Sequence, residues 1–217
     1  MTHFKHLMAT VVLASVASSA LAASSVDLAV TGSIIPASCT PTLSMGDAVF
    51  SRISAADLNA GKHTLIGERK QQTLSINCQA PTLFGIRGID NRPGTNGNAW
   101  YTTPYGLGLT AQGEKIGAHF MELRMARSTI DSKPAFVTVG DASGTTWQAS
   151  TTGDKGIRNY GELLGLTDTA GVTSGPIPVK DAVLGMEHYL VINDADTLTL
   201  NEEIMLDGSA SIEVVYL

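Results

Sequence analysis

Val26-Asp27-Leu28-Ala29-Val30-Thr31-Gly32-Ser33-Ile34-Ile35-Pro36-Ala37-Ser38-Cys39 is the stretch on which the reading of this chain turns. Val26, Leu28, Val30, Gly32 and Ile34 fall on every second residue, so an extended strand would carry one apolar face interrupted by a single glycine. Asp27, Thr31 and Ser33 make the opposite face largely polar. Pro36 lacks the amide that a ladder requires and ends the strand. The stretch lies ahead of the first cysteine. It reads either as the first strand of the domain or as an arm offered to something else.

Upstream of it, His3, Lys5 and His6 form a weakly basic opening, residues 7–16 are an apolar run, and Ala20-Leu21-Ala22 places small residues where a signal peptidase reads. Residues 1–22 are therefore expected to be a signal peptide, with Ala23 opening the mature chain. Later windows do not approach the roughly eighteen continuous apolar residues of a membrane span, so an integral membrane protein is not expected. Removing 22 of the 217 residues leaves 195, enough for one ordinary core. The formal charge is -6, and loss of Lys5 makes it more negative. Nucleic-acid binding would need a clustered basic face, and the one tight group, Arg69-Lys70, follows Glu68. Two cysteines in an exported chain, Cys39 and Cys78, favour one intrachain disulfide. A zinc pair or redox dithiol is the alternative, but the chain has no CxxC and no histidine motif follows.

Alternation recurs along the chain. Leu74, Ile76 and Cys78 share one face of a strand over residues 71–78, and residues 83–89 read as another. Residues 90–98 are polar, Gly or Pro throughout and are expected to form a loop. Trp100, Tyr101 and Tyr105 flank it and, with Trp147, are candidates to line a ligand surface. The competing reading places such aromatics at the edge of a core. Residues 119–130 fit both strand and helix spacing, and strand is expected because Met121, Leu123 and Met125 alternate with polar neighbours. Residues 140–155 read as a long surface loop or hairpin. Residues 187–192 form a strand, and residues 197–206 and 209–217 are expected as two strands of a hairpin turning at Asp207-Gly208. Ala210, Ile212, Val214 and Tyr216 face one way in the last of these. No segment combines long helical periodicity with capping, so the domain is all-β, built as two packed sheets.

Chemistry-bearing pairs do not assemble from this pattern. On strands, Glu187 and His188 point to opposite faces, as do His119 and Glu122. Asn193, Asp194 and Asp196 lack the glycine and closing glutamate of a calcium-binding EF-hand. No catalytic residue, metal ligand or cofactor is assigned, and a secreted hydrolase is the remote alternative.

The arm with its central glycine, the second cysteine closing Leu74-Ser75-Ile76-Asn77-Cys78, and the terminal Val214-Val215-Tyr216-Leu217 together resemble the pilin subunits of the chaperone–usher pathway of Gram-negative bacteria. The chain is similar in particular to the divergent fimbrial proteins grouped as a domain of unknown function and called beta-fimbriae subunits. The resemblance implies an immunoglobulin-like pilin sandwich, incomplete and completed by a donated strand, with residues 23–36 as the donor arm and 37–217 as the domain. It implies that Val26, Leu28, Val30, Gly32 and Ile34 insert into a neighbour's groove and that Cys39–Cys78 is the structural disulfide. Ile212, Val214 and Tyr216 are then candidates to face the groove or the chaperone. The implied partners are a periplasmic pilus chaperone, an outer-membrane usher and neighbouring fimbrial subunits, and the implied location is a surface fimbria with a role in adhesion. The rival expectation is a self-contained exported β-sandwich, binding or adhesive, whose residues 26–35 fold back into their own domain and whose aromatic loops meet a ligand. The loop-rich stretches near 90–115 and 140–178 have no counterpart in the resemblance.

Overall fold

Leu74, Ile76 and Cys78 are buried on one face of β3 (Lys70–Thr82), while Ser75 and Asn77 between them are not. The same alternation runs through β6 (Gly117–Ile130), where Met121, Leu123 and Met125 point inward, and β12 (Val179–Ile192), where Ala182, Leu184 and Met186 do. The computed structural model describes residues 26–31, 38–44, 46–97 and 104–217. Residues 26–31 and the described residues from 38 onward fall in separate units.

Two antiparallel sheets carry the second unit. In the first, β1 (Cys39–Leu43), β3, β12, β6 and β10 (Lys155–Ile157) lie in that order, with the short β2 (Thr64–Leu65) pairing β12, and β5 (Tyr105–Gly106) and β7 (Lys133–Pro134) pairing β6. In the second, the order is β13 (Ala210–Tyr216), β4 (Phe84–Asp90), β11 (Leu163–Thr167), β8 (Phe136–Gly140) and β9 (Trp147–Ala149). The inward residues of both sheets form one core: Leu74, Ile76, Leu123 and Leu184 from the first meet Phe84, Ile86, Leu164 and Val137 from the second. Neither sheet closes on itself, so the fold is an open two-sheet sandwich of the incomplete immunoglobulin-like kind expected from the sequence. Residues 119–130 are strand rather than helix.

Tyr105 sits at 0% exposure inside this core and donates its hydroxyl hydrogen to the Ile157 carbonyl at 3.0 Å. A Cβ on Gly88 would lie 1.7 Å from that hydroxyl oxygen, so β4 carries glycine where the ring needs room. Of the two readings of the aromatics, Tyr105 therefore belongs to the core. Trp147 is half-buried over Gly165, its indole N–H donating to the Gly144 carbonyl at 2.9 Å. Trp100 and Tyr101 lie outside the described residues.

The C-terminal hairpin does not form. Residues 198–209 carry no strand, and β13 pairs with β4 instead, from Ala210 opposite Asp90 to Tyr216 opposite Phe84. Asp207 is drawn elsewhere: its carboxylate accepts from Arg92 at 2.8 and 2.9 Å, and its amide donates to the Leu107 carbonyl. These long-range bonds replace the local turn that Asp-Gly alone favours.

Cys39 and Cys78 face each other in the β1–β3 register and are joined by a disulfide across 39 positions. Replacing both by alanine is expected to lower the unfolding free energy by about 4 kcal/mol through the added freedom of the unfolded chain, read from urea titrations. An unchanged midpoint would show that the bridge contributes little beyond the ladder around it.

Candidate functional site

β13 ends its sheet. One edge is paired with β4 and, among the described residues, the other has no strand beside it, as is true of the outer edge of β1 in the facing sheet. The two edge strands meet at one end, where the Cys39 amide donates to the Tyr216 hydroxyl at 2.8 Å. From there they diverge around a cavity of about 740 Å³.

One wall of this groove is formed by residues 43–58 and the other by residues 198–212. Neither wall is held by a continuous ladder. The first is pinned through side chains: Gln72 donates to the Gly46 carbonyl, Ser44 and Thr73 exchange two bonds at 2.8 and 2.9 Å, and Glu68 takes both the amide and the hydroxyl of Ser51. In the second, Glu114 accepts from the amide and hydroxyl of Thr199, both at 2.7 Å, which holds its carboxyl below the usual range. Arg92 with Asp207 secures the other end of that wall. An ion pair between Arg52 and Glu203, 3.7 Å apart and almost wholly exposed, spans the walls and contributes little on its own.

The lining is mostly apolar. Leu43, Val49, Met205 and Leu206 stand on the walls with exposed surface, Met205 at 74% and Val49 at 72%. Leu190, Ile192, Ile116, Leu107 and Leu198 form a second buried cluster under one part of the groove, with Phe50, Ile53, Leu200 and Ile204 packed on it from both walls. Exposed apolar groups gathered along a concave face, beside an unpaired strand edge, mark a surface that is covered in use.

The floor also carries two histidines. His119 of β6 and His188 of β12 are stacked, their rings 9° from parallel and 5.2 Å apart, with His119 Nε2 2.9 Å from His188 Nδ1. Burial, and for His119 the neighbouring His188, lowers their pKa values to about 3 and about 4 respectively. Both are neutral at physiological pH, so one ring nitrogen of the pair donates and the other accepts. His188 Nε2 is buried and has no hydrogen-bond partner among the described residues.

Ile212 lines the groove, Val214 packs on the main core, and Tyr216 reaches over to the Cys39 amide. Val26, Leu28 and Val30 are 94%, 88% and 88% exposed, and residues 26–31 carry no assigned strand; Gly32 and Ile34 lie outside the described residues. The histidine pair was missed from sequence because each was matched with its acidic neighbour on its own strand. The signal was present: His119 continues the inward series of Met121 and Leu123, and His188 that of Met186 and Leu190. Among the described residues, no group of three or more His, Cys, Asp or Glu side chains could hold a metal ion, and Asn193 is spent on Lys115 and Ile116 carbonyls.

An open, disulfide-bridged β-sandwich with an uncovered groove along one edge strand is thus the class that the fold and site define. Residues 28–100 match a family described as a protein of unknown function (DUF1120). The chain is similar to Protein GltF of Escherichia coli K12, 28% identical with 92% of each chain covered. It is also similar to the Uncharacterized protein YhcF of the same strain, 27% identical over 93% of this chain and 94% of the relative. No solved structure matches it significantly.

The histidine pair makes stability depend on pH. Their folded pKa values lie below the unfolded value of about 6.5, so the unfolded chain takes up protons first as pH falls. Stability is full above about pH 6.5 and falls as the pH drops toward 4, each histidine contributing about 1.4 kcal/mol per pH unit between its unfolded and folded pKa values. Comparing urea unfolding at pH 7 and pH 4.5 for the wild type and a His119→Gln/His188→Gln variant isolates that slope; parallel losses in both proteins would assign it to carboxylates. Separately, Glu114→Ala is expected to free the second wall, with amide exchange rising first at Thr199 and leaving β3 and β12 protected.

Proposed function

We propose that this chain is an exported structural subunit that polymerises by strand donation, residues 26–35 of one copy lying in the groove of the next to build a surface fimbria. The observation that carries this reading is the free edge of β13 beside an open apolar groove, in a chain that also bears an alternating apolar segment. At about 3.3 Å per residue, ten residues extend about 33 Å, and the seven residues of β13 about 23 Å. The arm is long enough to run the edge and continue past it. Main-chain bonds to β13 would supply affinity, and alternate side chains on the apolar floor would supply selectivity.

A subunit with an uncovered groove is prone to pair with the wrong strand, so a periplasmic chaperone is assigned to fill it before an outer-membrane usher hands it to a neighbour. The disulfide accords with passage through an oxidising compartment, and the 22-residue leader with export. A role in adhesion follows from display on a fibre. The rival is a monomeric exported binding domain completed by its own residues 26–35.

Surface-sheared material from the native host, run on SDS gels with and without boiling, distinguishes the two. Strand-completed polymers are expected as a ladder in the unboiled lane alone, lost on deletion of residues 23–36. A monomer in both lanes, alongside an assembly-competent control, would select the self-completed domain.

A further inference from the structure

The wall over residues 198–209 carries no strand, yet it is backed along its length. The stretch near 90–115, which has no counterpart in the resemblance, contains most of a hairpin over residues 105–117. Tyr105 and Gly106 pair with His119 and Ala118, Leu109 bridges Lys115, and the Thr110 amide donates to the Glu114 carbonyl near the tip. Leu107, Gln112 and Glu114 meet Asp207, Glu202 and Thr199 in that order, so hairpin and wall run antiparallel. The contact is close, since a Cβ on Gly208 would lie 3.0 Å from a methyl carbon of Leu107.

The wall meets the hairpin in the same sense as β13 meets β4. The Ser209 carbonyl accepts from the Asn91 amide and the Asp207 amide donates to the Leu107 carbonyl at 2.9 Å, so odd-numbered residues spend these main-chain groups away from the groove. Even-numbered residues face the other way. Ile204 packs on the second cluster, Leu206 lines the cavity, and Ala210 and Ile212 pack on the main core. Among the described residues, the main-chain groups of Ile204, Leu206 and Gly208 have no hydrogen-bond partner. Ala210 and Ile212 are the residues of β13 that line the cavity, and the rest of that wall is the hairpin-backed segment.

We propose that this hairpin lengthens the accepting edge, so that the arm of a second copy lands across residues 203–212 instead of along β13 alone. The inference rests on the strand-donation reading above and assigns its landing site. The lengths agree: residues 26–35 and residues 203–212 are ten each, about 33 Å when extended. Ile204, Met205 and Leu206 have a partner on one edge of the wall and none on the other, which leaves the segment irregular despite its alternation. The arm supplies the second edge. Residues 203–209 then become strand, and their groove-facing amides and carbonyls join the ladder that β13 begins.

The test compares amide exchange in sheared wild-type fibres with that in the unassembled full-length chain, read by mass spectrometry on peptic fragments. Exchange over residues 203–209 is expected to slow by about tenfold or more in the fibre, in step with residues 210–212. Slowing over β13 with residues 203–209 unchanged would overturn the hairpin-backed landing site while leaving strand donation standing. Glu114→Ala, which frees the wall at Thr199, is expected to cut the boiling-sensitive ladder several-fold, and a ladder of wild-type intensity from that chain would overturn the landing site too. Absence of a wild-type ladder would overturn strand donation itself, and the landing site with it. The exchange comparison uses the wild-type chain alone, so it decides the matter even where Glu114→Ala does not fold.

Discussion

The unpaired edge of β13 is the constraint on which the rest of this structure depends. A strand that ends a sheet presents main-chain donors and acceptors in a row, and the facing β1 ends its own sheet in the same way. If the walls could collapse onto each other, these edges would pair and the groove would vanish. Each wall is instead held to its own side of the sandwich: the second by Glu114 to Thr199 and Arg92 to Asp207, the first by Glu68 to Ser51 and Gln72 to Gly46. The bonds that involve a carboxylate are charge-assisted and geometrically specific, so the walls are held in place without a ladder between them. The cavity is consequently a product of where the polar anchors sit. It is not a packing defect, since the core behind it is filled by residues such as Leu74, Leu123, Leu184 and Met186 at 1% exposure or less.

The closed end of the groove supports the same division. The disulfide fixes β1 to β3 at Cys39, and the Cys39 amide reaches Tyr216, so the two edge strands are tied where β13 ends and released where it begins. Tyr105, admitted by Gly88, anchors β5 to the carbonyl of Ile157 across the interior. Around the groove, by contrast, the polar contacts are mostly partly exposed, and the one ion pair spanning the walls is solvent-screened. A strand entering the groove would displace little and cover Val49, Leu43, Met205 and Leu206.

Legibility in the sequence followed burial. Strands with one buried and one exposed face, such as β3 and β13, announce themselves through period-two alternation, and the inward residues named from that pattern are those of the core. The pairing of the cysteines was also readable, because two cysteines leave one partner each. Residues 198–209 were not readable as they fold: Thr197 to Leu206 alternates, and Asp-Gly favours a turn, but both signals are local, whereas Arg92 and Leu107 come from far along the chain. The groove has no sequence signature of its own, being the absence of a strand. The histidine pair lay in between, visible as a break in two apolar series but joined only by the β6–β12 register, which alternation within one strand does not specify.

The nature of the occupant can be argued from shape. A cavity of about 740 Å³ with an apolar lining and a few polar groups is also the size of a small-molecule site. A compact apolar ligand would satisfy the floor and leave the β13 amides and carbonyls as they are, bonded to water at the groove's margin. An extended peptide answers both surfaces at once, because its backbone bonds lie in the plane of the sheet while its side chains alternate toward the floor. Edge and floor are thus better matched by an extended strand with alternating side chains than by a compact apolar ligand.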